Sequence, residues 1–189
     1  MQLLLVRHAL PLRSEPGEGS DPRLSAEGVA QAARLPDALA RFPIQRVVSS
    51  PQVRAIETAR PVADALGVPV EVDERFAEYD RDLPHYIPVE QIAAENPAEL
   101  QRLINGQLPS GVDEAAFLAR VSAAVDDLVA GAAHDDTVAV FGHGGVINVL
   151  LHQILGTERL LSSRTGRLAV AGVNATEHIW DLLPRSTRW

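Results

Sequence analysis

Two histidines stand just beyond short apolar runs of the chain. His8 comes soon after the run Gln2–Val6, and His143 comes soon after Thr137–Phe141. Short apolar runs that are closed by proline or glycine are typical of buried strands rather than helices. A neutral imidazole at the end of a strand is suited to nucleophilic attack or to hydrogen bonding with an anion.

Arginine is the second residue type that could do chemistry at these strand ends. Arg7 directly precedes His8, and Arg54 lies one turn into a helix that follows another strand candidate, Arg46–Ser49. The guanidinium group is a bidentate donor that matches a phosphate. Ligands of open α/β sheets bind beyond the carboxyl ends of the strands, so these side chains and His143 are expected in one crevice. The combination predicts a site for a tetrahedral anion that contains a candidate nucleophile.

A glycine-rich turn, Gly142–Gly145, leads from the strand before His143 into the next helix. Its backbone N–H groups and the helix dipole could face an anion. The turn does not match the dinucleotide fingerprint, and the chain has neither a serine-hydrolase elbow nor two histidines at metal-ligand spacing. Taken singly, each histidine or arginine also fits an ordinary structural role, so the prediction rests on their combination.

The composition removes several kinds of chemistry. The chain has 189 residues, 46% of them hydrophobic and 22% charged, so it can bury a core without metals or disulfides. It has no cysteine, which excludes disulfide scaffolds, thiolate metal sites and cysteine nucleophiles. It also has no lysine, since all 17 basic residues are arginine, which excludes Schiff-base chemistry and a P-loop lysine.

The net charge limits the partners. It is −8, with an isoelectric point near 5.2, which argues against a nucleic-acid partner. A local cluster of arginines can still attract a small anion into a cleft. No apolar run approaches the roughly 20 residues needed to span a bilayer, and the first residues lack the basic start of a signal peptide. We therefore expect a cytoplasmic protein without a membrane or nucleic-acid partner.

Strand and helix patterns alternate along the chain. The predicted strands are Gln2–Val6, Arg46–Ser49, Val68–Val72, Thr137–Phe141, Leu168–Val173 and Thr176–Leu182. The predicted helices run from Ser25 to about Arg41, from Gln52 to Leu66, from Asp113 to Gly131 and from Val146 to Leu155. This alternation predicts an α/β fold, a three-layer sandwich with a largely parallel central sheet and helices on both faces. We expect one domain over residues 1–189, in which the proline-interrupted segment 73–112 is a small insertion over the active-site end.

Five motifs follow one another between residue 3 and about residue 156. They are Arg7-His8, Leu24-Ser25-x-x-Gly28, Ser50-Pro51-x-x-Arg54-Ala55-x-Glu57-Thr58-Ala59, Glu78, and Gly142-His143-Gly144-Gly145. In this order and spacing they resemble the histidine phosphatase (phosphoglycerate mutase-like) superfamily. The resemblance implies a phosphatase that hydrolyses phosphomonoesters of small metabolites through a phosphohistidine intermediate, without a metal or other cofactor.

The resemblance also implies a role for each site residue. His8 would be the nucleophile, and Arg7, Arg54 and His143 would hold the oxygens of the phosphoryl group. Glu78 would protonate the leaving oxygen and later deprotonate the attacking water. Three neighbouring acids could also reach the site, so the proton donor stays open among Glu74, Glu78, Asp80 and Asp82.

The loop after His8 departs from the common family form, Arg-His-Gly-Glu-Thr. Here the residues are Ala9-Leu10-Pro11, which lack the polar side chains that mutases carry there, so a phosphatase is favoured over a mutase. Ser14 stands where asparagine is common, and we predict that Arg13 and Ser14 bind substrate. A mutase and a non-catalytic phosphate-binding module remain alternatives. Family members differ in oligomeric state, so a homo-oligomer also stays open.

Three aromatic residues are crowded beside Glu78, and their role has two interpretations. Phe76, Tyr79 and Tyr86 could form a small satellite core, or they could form a wall for an organic group on the phosphate. Arg23 and Arg81, like Arg13, could recognise a second anionic group.

Overall fold

A parallel sheet occupies the centre of the computed structural model, which describes residues 1–13, 19–83, 92, 96–99 and 108–155. Within this part of the chain the strands are β1 (Gln2–Arg7), β2 (Arg46–Ser49), β3 (Val70–Val72) and β4 (Thr137–Gly142). Their order in the sheet is β1-β4-β2-β3, and all three pairings are parallel. The helices are α1 (Ala26–Ala32), α2 (Leu35–Leu39), α3 (Val53–Leu66), α4 (Glu114–Ala130) and α5 (Gly144–Leu155), with a short 3-10 helix at Glu74–Phe76.

Both faces of the sheet are covered by helices because the buried strands carry apolar side chains on both sides. In β4, Val138 and Val140 pack with residues of α4 and α5. Ala139 and Phe141, which alternate with them, pack with residues of α2 and α3 on the opposite face. The predicted α/β fold with a parallel sheet and helices on both faces is therefore confirmed.

Local signals account for several of the helix ends. The Ser25 hydroxyl accepts the Gly28 N–H at 3.0 Å and caps α1. Gly67 ends α3 with a φ of 68°, which glycine adopts without strain. The prediction of one helix from Ser25 to about Arg41 is wrong, since the chain turns at residues 33–34 between α1 and α2. Pro36 has no N–H to donate to the carbonyl of Ala32, and this missing hydrogen bond favours the break there.

Part of the predicted architecture falls outside the described residues. Both predicted strands beyond residue 155, Leu168–Val173 and Thr176–Leu182, lie there, as does much of the insertion over 73–112. The beginning of that insertion is described. Phe76 is fully buried in the core with α4, and the Arg120 guanidinium of α4 donates to the carbonyl oxygens of Arg75 at 2.6 Å and Ala77 at 2.9 Å. The single domain and the insertion over the active-site end stay predictions.

The strand register brings three carboxyl ends to one edge of the sheet. Arg7 at the end of β1 lies opposite Gly142 at the end of β4. Ser49 at the end of β2 lies opposite Phe141. The residues that follow these strands therefore emerge side by side. None of the helices in the described part of the chain has the length and apolar character needed to cross a membrane.

Candidate active site

The two histidines predicted from the sequence meet at this edge of the sheet. The ring centroids of His8 and His143 are 5.2 Å apart, with the ring planes tilted by 55°. The His8 N–H donates to the carbonyl oxygen of Gly142 at 2.8 Å, which extends the β1–β4 ladder by one residue. This backbone bond fixes the main chain of His8 beside that of Gly142, the residue before His143.

The hydrogen bond made by the His8 ring determines which of its nitrogens is basic. Nδ1 lies 2.8 Å from the carbonyl oxygen of Ala9. A carbonyl oxygen can only accept, so Nδ1 carries the hydrogen and Nε2 keeps its lone pair. Burial, helped by the positive charges of Arg54 and Arg7, lowers the pKa of His8 to about 3. At neutral pH the ring is therefore uncharged, with Nε2 available as a nucleophile.

The loop that follows His8 is held by α3. The Ala9 N–H donates to the Thr58 hydroxyl at 3.0 Å, and that hydroxyl donates to the carbonyl oxygen of Arg54 at 2.7 Å. Ala9, where the family commonly has glycine, is buried against Leu24 and a neighbouring alanine. Its methyl group thus fills a small apolar space beside the loop.

The same loop is also held by α1. The carbonyl oxygen of Leu10 accepts the backbone N–H of Ser25 at 3.0 Å and its hydroxyl at 3.1 Å. The Leu10 N–H donates to the Gln31 side chain at 3.0 Å. A Cβ at Gly28 would lie 2.0 Å from the Leu10 carbonyl oxygen, so only glycine lets the helix approach this closely. The Leu24-Ser25-x-x-Gly28 motif therefore supports the loop beside His8.

Arg54 is fully buried at the first turn of α3. Its Nη2 donates to both carboxylate oxygens of Asp80, at 3.0 and 2.8 Å, and its Nη1 donates to the carbonyl oxygen of Ser20 at 3.0 Å. Asp21 adds a second carboxylate, 3.7 Å from Nη1. The position of this guanidinium is therefore fixed before any ligand binds.

Arg7 is exposed and lies beside the N-terminus of α5. A Cβ placed on Gly144 would be 3.7 Å from the Arg7 Cζ, which is ordinary contact. The Arg7 charge contributes to the lowered pKa of both His8 and His143. The charges of Arg7 and Arg54 thus both act on the two neighbouring histidine rings.

Glu78 is 6% exposed and lies against the first turn of α5. Its Oε2 accepts the Gly145 N–H at 2.7 Å, and its Oε1 accepts the Tyr79 N–H at 3.1 Å. Burial raises the pKa of Glu78 to about 7, although these two N–H groups act in the opposite direction. The negative charge of Asp80 raises the pKa further. A carboxyl group of this pKa can both give and take a proton near neutrality.

The other candidate acids have different surroundings. Asp80 is buried, and its carboxylate is occupied by the Arg54 guanidinium. Glu74 is exposed and pairs with Arg81 at 2.6 Å. Asp82 is exposed. Glu78 thus combines burial and a raised pKa with a direct contact to Gly145, two residues after His143.

Two side chains at the site were missed by the sequence analysis. The buried Gln52 amide bridges the two acids, with Oε1 accepting the Glu78 N–H at 2.7 Å and Nε2 donating to Asp80 Oδ1 at 2.8 Å. Ser50 lies 2.7 Å from His143 Nε2 through its hydroxyl. Both residues stand in the Ser50-Pro51-x-x-Arg54 motif, but nothing in the sequence indicates where their side chains point.

The residues predicted to bind the rest of a substrate are not gathered at the site in the described part of the chain. Arg13 is exposed, and Ser14 lies outside the described residues. Arg23 pairs with Glu57 at 2.6 Å, and Arg81 pairs with Glu74, so both are engaged by carboxylates. These pairs do not favour a second anion site there.

The aromatic residues beside Glu78 belong mainly to the core. Phe76 is fully buried in the cluster under α4, and Tyr79 packs edge-to-face on Phe117 with ring centroids 6.1 Å apart. Tyr86 lies outside the described residues. The interpretation as a satellite core is therefore favoured over an aromatic wall. Over the described ranges, no group of three or more histidine, aspartate and glutamate side chains is placed to hold a metal ion.

Comparison with known proteins places these features in a family. A model of the histidine phosphatase superfamily (branch 1) matches residues 3–180. The probable phosphoglycerate mutase GpmB of Yersinia enterocolitica is 29% identical over 164 residues, which cover 82% of this chain and 75% of that protein. A mycobacterial glucosyl-3-phosphoglycerate phosphatase, solved in complex with VO3, has a TM-score of 0.67 at 27% identity and covers 82% of both chains. A mutant phosphoserine phosphatase of Entamoeba histolytica, solved with phosphoserine, has a TM-score of 0.69 over 94% of this chain and 98% of its own, and at 19% identity it shows the fold alone.

Proposed function

The chain belongs to the histidine phosphatase superfamily, branch 1, and from that premise we propose that it is a phosphatase. Its substrates would be phosphomonoesters of small organic metabolites, hydrolysed through a phosphohistidine intermediate without a metal. The observation that carries the proposal is the pairing of two titratable groups. His8 has a free lone pair on Nε2, and Glu78 is a buried acid whose pKa is about 7.

In the first step, His8 Nε2 attacks the phosphorus and the bond to the leaving oxygen breaks. Glu78, in its protonated form, gives its proton to that oxygen, so the alcohol leaves neutral. In the second step, the Glu78 carboxylate takes a proton from water while the water oxygen attacks the phosphorus. The P–N bond then breaks, and His8, protonated Glu78 and inorganic phosphate are the products.

The proposed role of Arg7, Arg54 and His143 is electrostatic. Charge spreads over the three non-bridging oxygens during phosphoryl transfer, and fixed donors around them lower the barrier. The Asp80 and Ser20 contacts hold Arg54 in place, so little reorganisation is needed when the phosphate arrives. This preorganisation is what electrostatic stabilisation of the transferring phosphoryl group requires.

A mutase is the second candidate, because the Yersinia relative is a probable phosphoglycerate mutase. The loop after the nucleophile counts against it. Leu10 is exposed and Pro11 follows it, so neither side chain can hydrogen-bond the second anionic group of a phosphorylated sugar acid. The mycobacterial phosphatase, at similar identity, supports the hydrolase instead.

A third alternative is a module that binds phosphate without turnover. The proton-transfer group argues against this alternative. A binding module needs arginines and donors, but it has no use for an acid whose pKa lies near 7 beside the anion site.

The first experiment is hydrolysis of p-nitrophenyl phosphate in the presence of EDTA, with wild type compared with His8→Ala. We expect turnover by the wild type and none above background by the variant. Activity that needs added metal, or that survives in His8→Ala, would contradict the mechanism. An inactive wild type that interconverts phosphoglycerates would instead establish the mutase.

A further inference from the structure

The hydroxyl group of Ser50 is the buried neighbour of His143 that the mechanism above does not use. Ser50 and His143 are both fully buried, and the Ser50 Oγ lies 2.7 Å from His143 Nε2. The same oxygen accepts the backbone N–H of Gln52 at 3.3 Å. Two hydrogen-bonding partners are thus recorded for this hydroxyl in the described part of the chain.

The position of the Ser50 hydroxyl hydrogen follows from these two partners. The Gln52 N–H can only donate, so it takes a lone pair of Oγ and leaves the hydroxyl hydrogen to be placed elsewhere. Of the two partners, His143 Nε2 is the one that can accept that hydrogen. A buried hydroxyl that donates to nothing is costly, so the O–H is expected to point at Nε2.

A hydrogen bond accepted at Nε2 determines the tautomer of His143. Burial, together with the charges of Arg54 and Arg7, lowers the pKa of this ring well below its usual value, so the ring is neutral and carries one hydrogen. With Nε2 as the acceptor, that hydrogen is on Nδ1. Nδ1 is itself buried and has no hydrogen-bond partner among the described residues. In this part of the chain, Nδ1 is therefore a donor without an acceptor and is open to an oxygen of a bound ligand.

We propose that Ser50 is a positioning residue that holds His143 as the Nδ1–H tautomer, so that Nδ1 donates to an oxygen of the bound phosphoryl group. The ligand in this inference rests on the proposed function; the tautomer itself does not. In the opposite tautomer Nδ1 would present a lone pair to an anionic oxygen, and the contact would be repulsive. Ser50 therefore decides whether the second histidine attracts or repels the anion.

The tautomer can be measured directly by nitrogen-15 NMR of protein labelled at histidine. His143 is assigned by the loss of its signals in His143→Asn. In the ligand-free wild type we expect the hydrogen on Nδ1, and in Ser50→Ala we expect the population to shift toward hydrogen on Nε2. A wild-type ring protonated at Nε2, or a Ser50→Ala ring that stays entirely Nδ1–H, would overturn the proposal.

Affinity for vanadate, a phosphate-like anion, is the second readout. Hydrogen bonds to charged groups contribute enough that Ser50→Ala is expected to bind vanadate about tenfold to a hundredfold more weakly. Ser49→Ala is the matched control, because Ser49 is equally buried and its hydroxyl donates to the Ser50 carbonyl at 2.9 Å rather than to a histidine. We expect it to keep both the tautomer and the vanadate affinity to within about threefold. An equal loss of affinity in both variants would show a general packing effect and contradict the inference.

The two proposals fail in different ways. If the wild type neither hydrolyses a phosphomonoester nor binds vanadate, the proposed function is wrong, whereas the ligand-free NMR spectrum still reports on Ser50. If the wild type is an active phosphatase whose His143 is protonated at Nε2, only the role of Ser50 is wrong.

Discussion

The carboxylate of Glu78 and the backbone of Gly145 lie in direct contact, with Oε2 accepting the Gly145 N–H at 2.7 Å. The contact exists because residue 145 has no side chain. A Cβ there would lie 2.2 Å from Glu78 Oε1 and 2.9 Å from its Cδ. The glycine motif after His143 therefore makes room for the acid, in addition to starting α5.

Gly145→Ala is expected to displace the Glu78 carboxylate and lower kcat for an alkyl phosphate by about tenfold to a thousandfold, within the range that general acid catalysis supplies. An aryl phosphate, whose leaving group needs no proton, should lose much less. Steady-state kinetics on the two substrates measures the difference. Gly144→Ala is the control, since the nearest atom to its Cβ would be the Arg7 Cζ at an ordinary 3.7 Å, and an equal loss in both variants would disprove the explanation.

The pH dependence follows from the raised pKa of Glu78. In the proposed mechanism the protonated form of Glu78 donates to the leaving group, and this form is lost as the pH rises through about 7. We expect kcat for an alkyl phosphate to fall about tenfold per pH unit above that value. For an aryl phosphate this fall should be weak, and Glu78→Gln should remove the difference between the two profiles. Identical profiles in the wild type would assign the proton transfer to another group.

Glu78 should also make the folded protein less stable in alkaline solution. Its pKa is raised from 4.5 to about 7 on folding, so the folded state binds the proton more tightly than the unfolded state. The stability that this carboxyl contributes is fully present below pH 4.5 and is lost as the pH rises through 7. Glu78→Gln is therefore expected to be more stable than wild type at pH 8.5, by about 1–3 kcal/mol, but not at pH 5. Thermal unfolding at both pH values tests this, and equal melting temperatures for the two proteins at pH 8.5 would refute it.

Asp80→Asn removes the charge that holds Arg54. Both partners are buried, so the loss removes the closer of the two carboxylates beside the guanidinium, leaves Asp21 at 3.7 Å, and should cost about 3 kcal/mol of unfolding free energy. The same change removes a negative charge that raises the pKa of Glu78, so the alkaline limb of the rate profile should move to lower pH. Urea unfolding and a pH–rate profile measure the two effects.

Glu74→Gln is the matched control for Asp80→Asn. The Glu74–Arg81 pair lies at the surface, where ion pairs contribute little, so stability and the pH profile should barely change. If Asp80→Asn were as mild as this control, the buried pair would not be what holds Arg54.

Much of the site could be predicted because its residues follow strands. Arg7-His8, Arg54 and Gly142-His143 each stand at or soon after a strand end, and parallel strands bring such ends together. The resemblance to the histidine phosphatase superfamily rested on these same residues and is confirmed by the match over residues 3–180. The sequence alone thus determined the fold class and the family, and it predicted the residues of the site.

The tertiary structure decided what depends on distances between residues far apart in the chain. It showed that the surroundings of Glu78 differ from those of Glu74, Asp80 and Asp82. Burial and charge partners set the pKa of a carboxyl group, and local spacing in the sequence does not encode them. It placed Phe76 in the core, and it showed that Gln52 and Ser50 reach Glu78 and His143. Side-chain direction at these positions follows from how α3, α5 and the sheet pack together, and no pattern within one segment contains that information.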